Sequence, residues 1–241
     1  MGITARQQEL LDYLKPVHFA SIAEIAASIY TSEATVRRDV KALQAKGFVK
    51  SVYGGVVISE YANEAVPVYL RDGNNSARKE QLAAAAAELI GDNCTVIFDS
   101  SSTVRRICRH IRNRKNLTVI TSNLRVCQEL SGTDVRVYCT GGSLLPRREC
   151  FAGHFAEEFM RQINADLLFF SCQGLAPNGD ISDSSEEEIA LRKVMLENAR
   201  QRIFLCDSSK LGGVYPFTLC NAREITRILC DADVSAFLRT D

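Results

Sequence analysis

Apolar positions in the first 58 residues recur three times at helical spacing, then switch to the shorter pattern of a hairpin. In TARQQELLDYLK the stripe is Leu10, Leu11 and Leu14; in ASIAEIAASI it is Ile22, Ile25, Ala26 and Ile29. The polar turn YTSE follows, with Ser32 placed to cap a third helix beginning near Glu33. At 100° per residue, Val36, Val40 and Leu43 share one face of that helix. Arg37, Arg38 and Lys41 fall on the opposite side, and Thr35 lies on the flank. KGFVKSVYGGVVIS then reads as a glycine stop, a strand, a turn at Gly54–Gly55 and a second strand.

Residues 59–77 lose all periodicity and contain Pro67 and the turn cluster DGNNS, which predicts a linker. From Arg78 onward helical and β patterns alternate. CTVIFD, LTVIT, VRVYCTGG, ADLLFFSCQG and RIFLCD read as strands, separated by helices over TVRRICRHIR, NLRVCQEL, HFAEEFMRQI and roughly residues 184–200. ADLLFF is apolar at almost every position, so both of its faces are expected to be buried. Short strands near FTLC and TRILCD close the chain. The fold class expected is α/β: a small winged helix-turn-helix domain over 1–58, the linker, and a larger α/β domain over 78–241 with a largely parallel sheet.

Composition narrows the chemistry. Apolar residues are 46% and charged residues 24% of 241, ordinary for a globular protein. The longest apolar run, LAAAAAELI, is too short to span a bilayer and no signal pattern opens the chain, so a cytoplasmic protein with no membrane partner is expected. Nine cysteines never lie closer than ten residues apart, which excludes a CxxC-type zinc knuckle; most sit in apolar runs as expected of reduced, buried thiols. No metal or cofactor is expected; His18, His110 and His154 belong to no ligand-spaced cluster.

Twenty-nine basic residues balance 29 acidic ones, so any nucleic-acid contact must be local. Between Thr31 and Val56, five basic residues (Arg37, Arg38, Lys41, Lys46, Lys50) face only Glu33 and Asp39. A helix after a helix and tight turn, with arginine forks outward, has the geometry that enters a DNA major groove. Ser32, Thr35, Arg37, Arg38, Lys41 and Lys50 are the candidate DNA contacts.

TVRR recurs at Thr103–Arg106, now after a strand ending in Asp99-Ser100-Ser101-Ser102. There the buried stripe is Val104, Ile107, Cys108 and Ile111, and Arg105, Arg106, Arg109 and Arg112 are expected on the outer face, where with Arg114 and Lys115 they form a basic patch that is solvated or meets another subunit rather than DNA. A strand–loop–helix junction rich in hydroxyls is suited to an anion. Four further strand ends carry small polar residues or glycine: Thr121-Ser122-Asn123, Gly141-Gly142, Gln173-Gly174 and Asp207-Ser208-Ser209-Lys210. Together with Asp99, Ser100, Ser101, Ser102 and Thr103 they suggest one pocket on one sheet edge, with Lys210 as the cation.

The stretch SEATVRRDVKAL…KGFVKSVYGG resembles the helix-turn-helix and wing of the DeoR family of bacterial transcription regulators. Tyr53 stands where that family's wing usually has His before the glycine pair, and is carried as a DNA-contact candidate. DSSST, TSN, GG and DSSK are similar to the family's sensor-domain motifs, with Ser101 where Gly is usual, and Gly153 matches a small-residue position. The resemblance implies a second domain shaped like ribose-5-phosphate isomerase that binds a phosphorylated sugar and oligomerises. It further implies a repressor of carbohydrate genes whose partners are double-stranded operator DNA and a second or further copies of itself, as homodimer or homotetramer. The alternative is a sugar-phosphate isomerase-like enzyme with an appended DNA-binding domain. It would need a carboxylate base, drawn from Asp99, Asp207 or Glu186–Glu188, and a cation, Lys210. The acidic run at 186–188 reads more simply as a charged helix start.

Overall fold

The computed structural model describes residues 3–17, 19–46, 48–52, 54–58 and 75–238. The chain divides into two compact units, Met1–Asn74 and Asn75–Asp241. Tyr53 and most of the expected linker, residues 59–74, lie outside the described residues.

In the first unit the elements run α1 (Ala5–Val17), β1 (Phe19–Ala20), α2 (Ile22–Ser28), α3 (Glu33–Ala45), β2 (Val49–Val52) and β3 (Gly55–Ile58). The three helical stripes meet in one core in which Leu10, Leu14, Ile25, Val36, Leu43 and Val49 are fully buried. Ser21 and Glu24 form a reciprocal capping box on α2, and Ser32 caps α3 through the Thr35 N–H at 3.3 Å. Two-residue β1, too short to leave a sequence pattern, pairs antiparallel with β3 and makes a three-stranded sheet in the order β1-β3-β2. That pairing explains the glycine pair. Gly54 turns the hairpin with φ of +87°, while a side chain on Gly55 would lie 2.3 Å from the Ala20 carbonyl oxygen.

The second unit opens with α4 (Ser76–Ala87), which starts inside the stretch expected to be linker. Six parallel strands form its central sheet: β4 (Thr95–Phe98), β5 (Thr118–Thr121), β6 (Arg136–Cys139), β9 (Ala165–Phe170), β12 (Ala199–Cys206) and β14 (Arg227–Cys230), in the order β14-β12-β9-β4-β5-β6. Helices α5 (Ser102–Arg105), α6 (Cys108–Ile111) and α7 (Leu124–Leu130) pack with α4 against one face, over Val96, Phe98, Val119 and Phe169. On the other face, α8 (His154–Arg161) and α9 (Glu186–Glu197) cover Ile97, Ile120, Leu168, Phe170 and Phe204. Both faces of ADLLFF are buried, as its unbroken apolar run requires.

Two features differ from the pattern-based expectation. FTLC belongs to β13 (Phe217–Asn221), which joins β10 (Gly174–Leu175) and β11 (Asp180–Asp183) in a separate antiparallel sheet, whereas TRILCD gives the parallel edge strand β14. The helix expected over TVRRICRHIR is broken at Arg106–Ile107 into the one-turn pieces α5 and α6. A hairpin of β7 (Ser143–Leu145) and β8 (Cys150–Ala152) lies between β6 and α8. No helix among the described residues is long and apolar enough to cross a membrane.

Strand order places the site. From β4 the chain moves outward through β5 and β6, then returns to β9 on the other side of β4 and continues to β12 and β14. The carboxyl ends of β4 and β9 therefore flank the topological switch point, where open α/β sheets form their ligand crevice.

Candidate functional site

In the first unit, Tyr30 turns the chain between α2 and α3 with φ of 49°. The Ser32 and Thr35 hydroxyls are 2.9 Å apart, so both serve the helix start as well as presenting oxygen to the surface. Arg37, Arg38, Lys41 and Gln44 are exposed along α3, and Lys50 on β2. Arg37 is held by Glu33 one turn back at 2.8 Å. Ser51 of the wing donates to Gln44 at 2.7 Å and ties hairpin to helix. Between them lies a groove of about 610 Å³ lined by Glu33, Arg37, Lys41, Gln44, Ser51 and Gly54, among others. Arg38 leaves the helix 100° away from Arg37.

Asp39 is not part of the exposed face. It is buried against α1, where its carboxylate takes Arg6 Nε at 2.5 Å, Arg6 Nη2 at 3.2 Å and Gln7 Nε2 at 3.2 Å. The surface of α3 is accordingly more positive than the sequence count suggests, and the acid fixes the helix on its support. The hydrogen bond from Arg6 holds the Asp39 carboxyl below the usual 3.8, against the opposing effect of burial. A depressed carboxyl contributes stability above its unfolded value and loses it as pH falls through the folded one. Asp39→Asn is thus expected to flatten the acid limb of thermal stability between about pH 5 and pH 2. Melting curves of both proteins across that range check it.

In the second unit Asp99, fully buried at the end of β4, organises the sheet edge. Its Oδ1 accepts the Ser101 N–H at 2.9 Å, and its Oδ2 accepts the Ser171 N–H at 3.1 Å and Arg192 Nε at 2.9 Å. One carboxylate thereby joins the loops after β4 and β9. Ser101 has ordinary extended backbone (φ −73°, ψ 146°), and its hydroxyl accepts the Val104 N–H at 3.2 Å. Serine in place of the usual glycine costs no backbone strain and caps α5. Ser102 meets Lys79 Nζ at 3.4 Å, and Thr103 is buried beside it.

Lys210 Nζ donates to Ser171 Oγ at 2.5 Å and lies 3.8 Å from Asp207 Oδ2. Asp207 also accepts Asn75 Nδ2 at 3.1 Å, the Ser209 N–H at 3.2 Å and the Ser209 hydroxyl. Burial pushes the Asp207 carboxyl up, but Lys210 and Ser209 outweigh it and hold it below the usual value. Thr121 donates to the Phe98 carbonyl at 2.8 Å and accepts the Asn123 N–H at 3.0 Å; Asn123 caps α7. The Phe151 N–H reaches the Ser122 carbonyl at 2.8 Å, bringing β8 over this loop. Gly141 and Gly142 follow β6 with φ of +65° and +100°.

The ends of β4, β9 and β12 are therefore directly hydrogen-bonded together, and Thr121–Asn123 joins them through Phe98. Gln173 turns to Ser184 at 3.0 Å, on the side of the antiparallel sheet. Gly174 sits within β10, where a side chain would collide with the Gly213 carbonyl, so its smallness serves packing.

A buried ionic network beneath the loops has only a faint sequence signature. Arg192 bonds Asp99, Asp183 (3.1 Å), Ser100 (3.2 Å) and Glu188 (3.2 Å), and Glu188 also takes Ser100 and Arg148. Burial alone would lower the Arg192 pKa, and the acids around it raise it instead. Glu186–Glu188 open α9 as read from the sequence, and Glu188 in addition turns inward and is 3% exposed. Its signal was present: Glu188 and Arg192 are one turn apart amid Ile189, Leu191, Val194 and Met195. Arg148 and Lys79 have no comparable signature.

The second TVRR needs correcting. Arg106 is buried and pairs with Glu80 at 3.4 Å, and Arg105 pairs with Glu129 at 3.1 Å. Glu80 also meets Arg109 at 3.7 Å and His110 at 2.9 Å. Of the expected outer face, Arg109 and Arg112 are exposed, whereas Arg105 and Arg106 are drawn in as ties to α7 and α4. Among the described residues no cluster of three or more His, Cys, Asp or Glu is arranged to hold a metal.

Residues 6–61 match the DeoR-like helix-turn-helix domain, and residues 74–232 match the DeoR C terminal sensor domain. The HTH-type regulator YulB of Bacillus subtilis (strain 168) is 28% identical over 233 residues, covering 96% of this chain and 90% of its own. A putative aga operon transcriptional repressor of Escherichia coli O157:H7 is 27% identical over 238 residues, covering 98% and 88% respectively. Among solved structures, D-ribose-5-phosphate isomerase in complex with phospho-erythronic acid matches 57% of this chain and 55% of its own, at 14% identity and a TM-score of 0.44.

Proposed function

The chain belongs to the DeoR family of DNA-binding transcriptional regulators, and from that premise we propose that it is a repressor of carbohydrate genes relieved by a phosphorylated sugar. In this reading Arg37, Arg38 and Lys41 enter the major groove, with Ser32, Thr35, Lys50 and Tyr53 on flanking phosphates. The repressor name of the Escherichia coli relative supports the sign of regulation. The protein acts in the cytoplasm as a homodimer or homotetramer. Its effector works by binding more tightly to the arrangement that cannot hold the operator.

The observation that carries the effector reading is the linkage of Asp99, Ser171, Lys210 and Asp207 across the ends of β4, β9 and β12. Helix α5 is a single turn, so its dipole is small. Lys210, Lys79 and the hydroxyls of Ser100–Thr103 supply the positive and hydrogen-bonding character a phosphate requires. The loops at Thr121–Asn123 and Gly141–Gly142 contact the sugar. A switch, rather than an isomerase, is favoured because the candidate bases are already engaged. Both oxygens of Asp99 accept fixed donors, Glu188 is held by two arginines, and Asp207 by Asn75, Ser209 and Lys210. These three carboxylates are thus committed to structural donors and cations rather than standing apart as a base beside a substrate carbonyl.

Lys210→Ala tests the assignment. A lost charge-assisted hydrogen bond is worth about 1.5–3 kcal/mol, so sugar-phosphate affinity should fall roughly tenfold or more. Operator affinity in the absence of effector should not change. Calorimetric titration and DNA binding on the same preparation decide it; the reverse pattern would remove Lys210 from the pocket.

A further inference from the structure

Cys206 and Cys230 close two adjacent parallel strands. They are register partners at the carboxyl ends of β12 and β14, and both side chains lie on the sheet face covered by α9. Neighbouring strands run about 4.8 Å apart, inside the Cα separation that a disulfide spans. Cys206 is buried, whereas Cys230 is partly open to solvent on the edge strand β14.

The residues that follow each thiol are also joined. Asp231, next to Cys230, accepts the Ser208 N–H at 2.5 Å and the Ser208 hydroxyl at 3.1 Å, and Arg78 meets Asp231 at 3.3 Å. Ser208 lies in the Asp207–Lys210 loop that begins directly after Cys206.

We propose that Cys206 and Cys230 form a reversible dithiol switch, oxidised by peroxides, whose disulfide fixes the Asp207–Lys210 loop. The Cys230 thiolate attacks one peroxide oxygen; the S–O bond forms, the O–O bond breaks, and hydrogen peroxide leaves one water after protonation. The Cys206 sulfur then attacks the Cys230 sulfenic acid. The S–S bond forms, the S–O bond breaks, and hydroxide departs with the Cys206 proton as a second water. Two thiols lose two electrons in total and one peroxide gains them. Cys230 suits the attacking role: it is the more open of the two, and the neighbouring Cys206 thiol lowers its pKa against the opposing effects of burial and Asp231.

Full-length protein treated with hydrogen peroxide, alkylated under native conditions and digested with trypsin without reductant tests this. The peptides Ile203–Lys210 and Ile228–Arg239 should be joined, and dithiothreitol should separate them. Cys230→Ser, at a partly exposed position, should abolish the link. Cys206→Ala should leave a Cys230 sulfenic acid that dimedone captures. Amide exchange over residues 207–211 should slow at least several-fold in the linked form and recover on reduction. Two peptides that stay separate while other thiols oxidise overturn the proposal, as does linkage of either cysteine to a different one. A link that leaves amide exchange unchanged removes the switch. These readouts do not involve a sugar phosphate, so their failure is separate from failure of the effector assignment.

Discussion

Replacing Arg192 with alanine is expected to lower the melting temperature of the second unit by roughly 10 °C. The guanidinium is 2% exposed and compensates Asp99, Asp183 and Glu188, all 3% exposed or less. Removing one partner of a buried ionic network typically costs about 3–5 kcal/mol, because the charges left behind have no replacement for water. For a domain of this size each kcal/mol moves the midpoint by about 2–4 °C. Arg192→Lys retains the charge but not the planar fork that reaches four side chains, and should recover only part of the loss. The helix-turn-helix unit shares no residue with this network, so its helical signal should persist beyond the lowered transition. Circular dichroism and calorimetry on both variants measure these effects; a change below about 2 °C for the alanine variant would show that the network adds little cohesion.

Arg38→Ala is expected to cost specific DNA binding between about fivefold and 150-fold, the range of a lost bidentate base contact of about 1–3 kcal/mol. Arg37→Ala should cost less, since Glu33 already holds Arg37 and must release it to the DNA. The two substitutions also separate by salt dependence. A phosphate contact lowers the slope of log affinity against log salt by about one when removed, whereas a base contact relaxes preference at one position. Both arginines are exposed on α3, so thermal stability should stay within about 0.5 kcal/mol of the parent. Fluorescence anisotropy across salt concentrations, on a selected DNA site, its single-base variants and a scrambled duplex, gives affinity, salt slope and base preference, and melting curves give stability. Unchanged affinity in Arg38→Ala would dismiss α3 as the reading element.

Much of the architecture is legible in the chain because burial imposes a period. Leu10, Leu14, Val36, Val40 and Leu43 announce the first core, and the apolar run at 165–170 announces a strand covered on both sides. What escapes is whatever depends on long-range partners. β1 exists because Gly55 allows β3 to approach Ala20, a relation no two-residue segment encodes. Asp39 and Arg106 look like surface charges until Arg6 and Glu80 arrive from other helices. At the sheet edge, the small polar loops could be read, since strand ends with Asp, Ser and Gly recur; the ions beneath them mostly could not. Glu188 and Arg192 lie within an apolar stripe and could have been suspected, but Arg148 comes from a loop with no pattern. The repeated TVRR shows both limits. Its valine is buried in each copy as spacing dictates, yet its arginines are surface groups on α3 and mostly buried ties at the end of α5.

The central claim is that a phosphorylated sugar bound at the sheet edge changes affinity for DNA. The direct measurement selects DNA fragments bound by the full-length protein and then titrates the best one with and without a panel of pentose and hexose phosphates. At least one phosphorylated sugar should weaken binding about tenfold or more, equivalent to a coupling of roughly 1.4 kcal/mol, while its unphosphorylated counterpart has no effect. DNA affinity that stays constant across the whole panel, with sugar phosphate shown by calorimetry to be bound, would contradict the account.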